Sequence, residues 1–244
     1  MEGSLTRLAT DHVDILWVHY PDELTPMDEI LRGLDDLVTQ GKVLHVAFSN
    51  FPAWRVSRAA VLADVSGWAP VAGIQVEYSL VQRTADRELL PMAEALGLGA
   101  TLWSPLGGGL LTGKYRHSRE GRLSDWGRLV HTEDDARATA VVDTLLEVAG
   151  SVGRPPAQVA VAWLLEHGRR MTTSATPIIG PRTLAQLDDY LAALEVQLDD
   201  EGYRRLETVS RPSLGIPHEA NAAALDGLRG GPGSSVTAPA VPVA

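Results

Sequence analysis

The strongest constraint on how this chain can fold is a series of short apolar runs, each ending in polar residues and separated from the next by a helix-length stretch. Val13–Val18 ends in His19, residues 43–48 end in Ser49-Asn50, and residues 71–74 lead into Gln75 and Glu77. Residues 100–103 then end in Ser104, and residues 176–179 end in Gly180-Pro181-Arg182. Strand, amphipathic helix and strand in alternation predict a parallel sheet with right-handed crossovers. In such a sheet the strand C-termini gather on one face, and ligands bind there. The pattern therefore predicts both a site and the side of the sheet on which it lies.

The stretches between the runs carry helical signals. Thr25-Pro26 reads as a cap followed by proline at the first helical position, and Ile30, Leu34, Leu37 and Val38 give one apolar stripe before Gly41 ends the helix. Pro52 opens a second helix with Val56, Ala59, Ala60 and Ala63 on one side, and residues 87–96 form a third, stopped by Gly97. The rhythm breaks after Ser104: from Gly107 to Glu133 the chain is polar, too long for an ordinary βα loop, and is expected to form a lid. Helices follow near residues 134–149 and 156–167. Thr183, with Gln186 three residues on, matches a capping box, and Leu184, Leu187, Leu191 and Leu194 read as that helix's buried stripe. Residues 199–209 read as a last helix. The pattern divides the chain into a domain over residues 1–214 and a tail over 215–244, rich in Ala, Pro, Gly and Ser and expected to lack order.

Five strands emerge, whereas a closed (β/α)8 barrel needs eight. Before Val13 only Leu5 and Leu8 suggest structure, as the last turns of a helix. The expected fold is an α/β barrel of TIM type that is incomplete, about five parallel strands with flanking helices. At 244 residues and 45% hydrophobic the chain can bury such a core. It has no cysteine, so neither disulfides nor thiolate metal sites arise, and its histidines show no metal-ligand spacing. No apolar stretch reaches the length of about 18 residues that spans a membrane, and the N-terminus lacks a basic region followed by an apolar one. A soluble, cytoplasmic protein is expected. A formal charge of -10 disfavours nucleic acid and anionic membrane as partners. Any anionic ligand must be held by local donors.

Six segments resemble signatures of the aldo-keto reductase family, in family order. They are Ser4-Leu5-Thr6-Arg7-Leu8 with Asp11-His12-Val13-Asp14, residues 41–51, Gln75-Val76-Glu77-Tyr78-Ser79, Trp103-Ser104-Pro105-Leu106, residues 110–115 and Pro177-Ile178-Ile179-Gly180. The resemblance spans about residues 4 to 198. It implies a (β/α) barrel that reduces aldehydes and ketones with NADPH, without metal, using a tyrosine as proton donor, a lysine and an aspartate that tune it, and a histidine that orients the carbonyl. His19 matches that histidine. The family's aspartate, tyrosine and lysine lie on strands before this point, so the first strand here matches the family's fourth.

No local substitute for those residues is evident from the sequence. Lys42 precedes its strand, on the side away from His19; Lys114 lies beyond the glycine turn; Tyr20 should point away from His19 if the strand continues. The chain alone is expected to be nearly inactive.

Each site residue has a plainer reading beside the implied one. His19 could simply close a strand end. Ser49, Asn50 and Gln75 offer a hydroxyl and two amides suited to the nicotinamide carboxamide, although Ser-Asn before Phe-Pro is also an ordinary turn. Trp103 offers a flat face for stacking on the nicotinamide ring, or a core aromatic. Ser104, Leu106 and Gly107, with the glycines after it, can bring backbone N–H groups to a pyrophosphate. Gly180 and Arg182 precede a helix N-terminus, where an anion such as the 2'-phosphate of NADPH is favoured. Gln186 fits both a helix cap and adenine contact. Tyr190 departs from the family, which commonly has an adenine-binding asparagine there. Glu77 and Tyr78 read as structural, and Trp126 as a lining residue of the substrate pocket.

Three functions compete: an NADP(H)-dependent reductase of a small carbonyl substrate in N-terminally truncated form, a non-catalytic NADPH-sensing or partner-binding module, and a decayed fragment. Five strands leave two sheet edges and a half-open inner face, which predicts self-association through those edges.

Overall fold

The structure is a computed structural model and describes residues 1–117 and 131–231. Residues 118–130 of the expected lid, Trp126 among them, lie outside the described residues. Five strands, β1 (Val13–Val18), β2 (Val43–Ser49), β3 (Val71–Glu77), β4 (Gly99–Trp103) and β5 (Ala175–Ile178), form one parallel sheet in chain order. The five apolar runs are thus the five strands. β3 runs three residues further than the apolar run, so Gln75 and Glu77 lie within it, held by pairing with β2 and β4.

Helix α1 (Glu2–Leu8) precedes β1; α2 (Met27–Thr39), α3 (Ala53–Ser66) and α4 (Leu89–Leu96) are the crossovers between successive strands. Pro26 and Pro52 are N-cap residues in extended backbone, one position outside the helices they were expected to enter. Thr25 gives its hydroxyl to Asp22 instead of capping. A 3₁₀ turn (Gly107–Thr112) follows β4, and α5 (Ala136–Val152) and α6 (Pro156–Arg170) lead to β5. After it come α7 (Leu184–Ala192), α8 (Asp200–Ser210) and α9 (His218–Leu228). The last of these is a helix inside the stretch from Gly215 expected to lack order, and none of its residues is buried.

Side-chain alternation assigns the two faces of the sheet. Val46 and Phe48, Ile74 and Val76, and Ala100 and Leu102 belong to the core shared with the helices, with Leu16 and Val18 packed against it. The alternate residues, among them Ile15, Gln75, Thr101, Trp103 and Ile178, face the other side. There Ile15 is 43% and Ile178 37% exposed. β1 pairs only with β2 and β5 only with β4 among the described residues, so the sheet is an open arc.

Two corrections concern helix faces. The leucine stripe of α7 is not buried: Leu184 is 78%, Leu191 49% and Leu194 61% exposed. The helix packs on α6, and of the expected stripe Leu187 alone is half-buried. In α2 the buried set is Met27, Leu31 and Leu34, with Ile30, Leu37 and Val38 only partly covered.

A buried ionic cluster ties the end of β3 to α6 and α8. Arg83, 3% exposed, donates to Asp86, to both carboxylate oxygens of Glu207 at 2.9 Å, and to Ser210 Oγ at 2.9 Å. Its guanidinium lies 4.9 Å from the Trp163 ring centroid and 5.6 Å from that of Tyr78, within cation–π range. The Tyr78 hydroxyl donates to Asp86 at 2.6 Å, so the Tyr78–His167 contact at 3.0 Å is donated by His167 Nε2, and Nδ1 accepts from Tyr203. Burial, with the Arg83 charge beside it, holds the His167 imidazole below its ordinary pKa and hence neutral. Burial is the largest single influence on Glu207 and opposes its ionisation, but the hydrogen bonds and charge of Arg83, with the charge of Arg211, together outweigh it and keep the carboxyl below the usual range. Removing one partner of such a cluster leaves uncompensated buried charge, which costs about 3–5 kcal/mol. Arg83→Ala is therefore expected to lower the unfolding free energy by about that amount, read as a fall in the urea midpoint at unchanged slope; a loss under about 1 kcal/mol would show the cluster to be balanced by solvent.

Candidate functional site

The C-terminal ends of the strands converge as expected. Ser49 is paired in register with Gln75, Gln75 with Thr101, and Glu77 with Trp103. Of the four described residues other than glycine that take left-handed backbone, two, Asn50 and Ser104, follow directly on β2 and β4, each at φ 59°; the others are Ala9 and Glu23. Such conformations cost on the order of 1–3 kcal/mol and cluster at ligand sites. Asn50 is held by its own amide: Nδ2 donates to the His19 carbonyl at 3.1 Å and to Ser49 Oγ at 3.0 Å. With both protons committed, the side chain offers its carbonyl oxygen outward. Ser49 is 1% exposed and its hydroxyl oxygen accepts from Asn50.

His19 is exposed just past the end of β1, and its ring centroid lies 4.4 Å from that of Tyr20. The strand stops at Val18, so the alternation that should have sent Tyr20 to the other side does not apply, and the two rings lie together.

Around β4 and β5 the chain encloses a cleft of about 350 Å³. One wall is Trp103, Ser104, Leu106, Gly108, Gly109 and Lys114; the other is Ile178, Gly180, Arg182, Gln186 and Tyr190. Expected residues from two distant segments thus face each other. Gln186, Asp189 and Tyr190 reach it together because spacings of three and four share a helix face. The Thr183 hydroxyl caps α7 by accepting from Gln186 N–H at 3.2 Å, while Gln186 Oε1 accepts from Arg182 N–H at 2.7 Å. This is the expected reciprocal cap, with its return bond made to Arg182 rather than to the N-cap, and it aims the Gln186 amide nitrogen away from the helix end.

The glycine turn works differently from the sequence expectation. Its N–H groups are satisfied internally: Gly107 by the Ser104 carbonyl, Gly108 by Ser104 Oγ at 3.1 Å, Gly109 by the Leu106 carbonyl. They are not presented to an anion. Gly107 is buried and lies off the cleft wall, which Gly108 and Gly109 form. The charge on the walls instead comes from Arg182 and from Lys114, which the sequence had placed out of reach. The chain reverses at Gly113, φ 72°, and brings Lys114 back beside Gly109. A glycine-ended turn before a lysine was the signal available. Lys114 and Arg182, opposed among the described lining residues by the carboxylate of Asp189, make this part of the cleft locally basic in an acidic protein. Two cations between an indole at one end and a phenol at the other form a donor set that fits a phosphorylated nucleotide.

A model of the aldo/keto reductase family matches residues 1–211. The chain belongs to the aldo/keto reductase family. Uncharacterized oxidoreductase YrpG of Bacillus subtilis is 38% identical over 210 residues, covering 86% of this chain and 62% of that protein. Versiconal hemiacetal acetate reductase of Aspergillus parasiticus is 31% identical over 222 residues, covering 90% and 63%. Aflatoxin B1 aldehyde reductase member 2 of the mouse is 32% identical over 209 residues, covering 80% and 57%. The chain therefore spans about three-fifths of the length of these curated relatives. Among its described residues it holds five of the eight strands of a (β/α)8 barrel, and no helix among them is long and apolar enough to cross a membrane.

The glycine turn supplies a test. A Cβ on Gly107 would meet Val81 Cγ2 at 2.6 Å, and its φ of 54° is one that alanine resists. Gly107→Ala is expected to destabilise the chain by about 1–3 kcal/mol in urea unfolding; an unchanged midpoint would mean that the turn moves freely.

Proposed function

We propose that this chain carries the cofactor-binding arc of an NADP(H)-dependent reductase of aldehydes or ketones. The observation that carries the reading is the cleft, where Trp103, Ser104, Leu106 and Lys114 of one segment oppose Gly180, Arg182, Gln186 and Tyr190 of another. Arg182 and Lys114 hold phosphates; Tyr190 stacks on adenine, and the Gln186 amide donates to it. Trp103, on the cleft wall, stacks on nicotinamide, while Gln75 and the carbonyl of Asn50 hold its carboxamide. The reduced nicotinamide, when bound, supplies hydride to a carbonyl carbon. His19, at the end of the neighbouring strand, orients that carbonyl through its oxygen, on which negative charge develops. The resemblance assigns the proton donor to strands that precede β1 in the family's order. The carbonyl-reducing names of two relatives support the reaction class.

Fluorescence titration of the full chain should give saturable NADPH binding. Hydrogen bonds to charged groups contribute about 1.5–3 kcal/mol, so Arg182→Ala should weaken NADPH by roughly ten- to a hundredfold and leave NADH nearly unaffected. Equal losses for both cofactors would remove the 2'-phosphate role, and absence of saturation would remove the reading altogether.

A partner surface belongs to the same proposal. Among the described residues β1 and β5 have unpaired edges, and Ile15 on β1 and Ile178 on β5 are exposed. We infer self-association through these edges. Sedimentation velocity should show a species heavier than 26.1 kDa, and a monodisperse, cooperatively melting monomer would overturn this.

A further inference from the structure

Glu77 and His131 form a pair that the cofactor reading leaves unused. Glu77 closes β3 on the inner face, two residues beyond Gln75 and in register with Trp103. His131 Nε2 donates to Glu77 Oε1 at 2.9 Å, and the side chains are 27% and 21% exposed. The imidazole also backs the glycine turn: its Cδ2 lies 3.6 Å from where a Gly107 Cβ would stand, with Val81 on the same spot and Ser79 Oγ 3.8 Å away. Ser79 is 1% exposed and its hydroxyl makes no hydrogen bond, so it does not fasten the turn. The hydrogen bond thus ties the end of β3 to a ring that sits against the back of the turn whose front, Gly108 and Gly109, is the cleft wall.

We propose that Glu77 and His131 form a protonation-dependent clasp that positions the glycine turn and so shapes the cleft beside Trp103. The two are positioning residues: neither lines the cleft, and they act through Gly107. A carboxylate–imidazolium bond is shorter and stronger than the same bond to a neutral ring, so the clasp is tight when His131 is charged and slackens when it is neutral. The charged groups about the ring agree in sign. Glu77 on β3 and Asp134, three residues along, both favour the imidazolium, and the hydrogen bond to Glu77 outweighs burial in holding its pKa above the ordinary value. Arg137 of α5 is engaged elsewhere, with the carbonyls of Val81 and Ser210.

The test follows the turn directly, in the full chain, and does not need the cofactor. Imidazole resonances titrated by NMR should give His131 a midpoint above the ordinary histidine value, falling in Glu77→Gln. Hydrogen-exchange protection factors for the Gly108 and Gly109 amides should drop about tenfold as pH rises through that midpoint, since a charge-assisted bond is about twice as strong as a neutral one. In Glu77→Gln the protection should be low at all pH and the step absent. Protection that is independent of pH, or unchanged in Glu77→Gln, overturns the clasp. Calorimetric titration with 2',5'-ADP across the His131 midpoint found by NMR, corrected for the ligand's own phosphate titration, completes it. Affinity falling with the protection step supports control of the cleft, and affinity constant across that range and unchanged in Glu77→Gln overturns it. If 2',5'-ADP does not bind at any pH while the protection step is present, the cofactor reading of the cleft fails and the clasp stands.

Discussion

Parallel pairing in strict chain order governs everything else in this molecule. Each strand pairs in parallel with the one before it in sequence, helices filling the connections, so all five C-termini emerge on one side. Register then does the finer placement. Ser49 beside Gln75, Gln75 beside Thr101 and Glu77 beside Trp103 put hydroxyl, amide and indole on one face, while the intervening Phe48, Ile74, Val76 and Leu102 bury against helices. A slip of one residue would exchange the two sets, losing at once the core burial that stabilises the sheet and the polar rim that could meet a ligand.

The strand ends are also where backbone strain and charge concentrate. Asn50 and Ser104 hold left-handed conformations at the exits of β2 and β4, and each is stabilised by its side chain's own hydrogen bond. The acidic chain as a whole would repel phosphates, yet Lys114 and Arg182 are brought to opposite walls of one cleft. A local field of this kind is decided by side chains within a few ångströms, because charges further off are screened by water and salt. The Arg83 cluster plays the converse part on the helix side, where it fastens the end of β3 to α6 and α8 with charges that meet each other rather than a ligand.

Much of this was legible in the residues. Period-two and period-3.6 patterns report which face of an element is apolar, and they located all five strands and most of the helices. Where the pattern misled, a neighbour was the reason. The α7 leucines have helical spacing but stay mostly exposed, because burial needs a second surface that spacing cannot supply. Tyr20 was sent away from His19 by an alternation that ends where β1 ends. The glycines were expected to offer their N–H groups outward, but Ser104 and Leu106 accept those protons inside the turn, a contest between partners that composition cannot decide.

The sequence by itself determined the order of elements, the parallel sheet, the side on which the site lies and the family, because these follow from local periodicity and short motifs. Only the tertiary structure decided that Lys114 joins Arg182 in one cleft, that Gly107 turns its back on it, and that Glu77 finds His131 54 residues away. Those outcomes depend on left-handed turns at Ser104 and Gly113 and on contacts between segments far apart in the chain. The energy of such contacts depends on distance and burial, and neither is written in the spacing of residues along a chain.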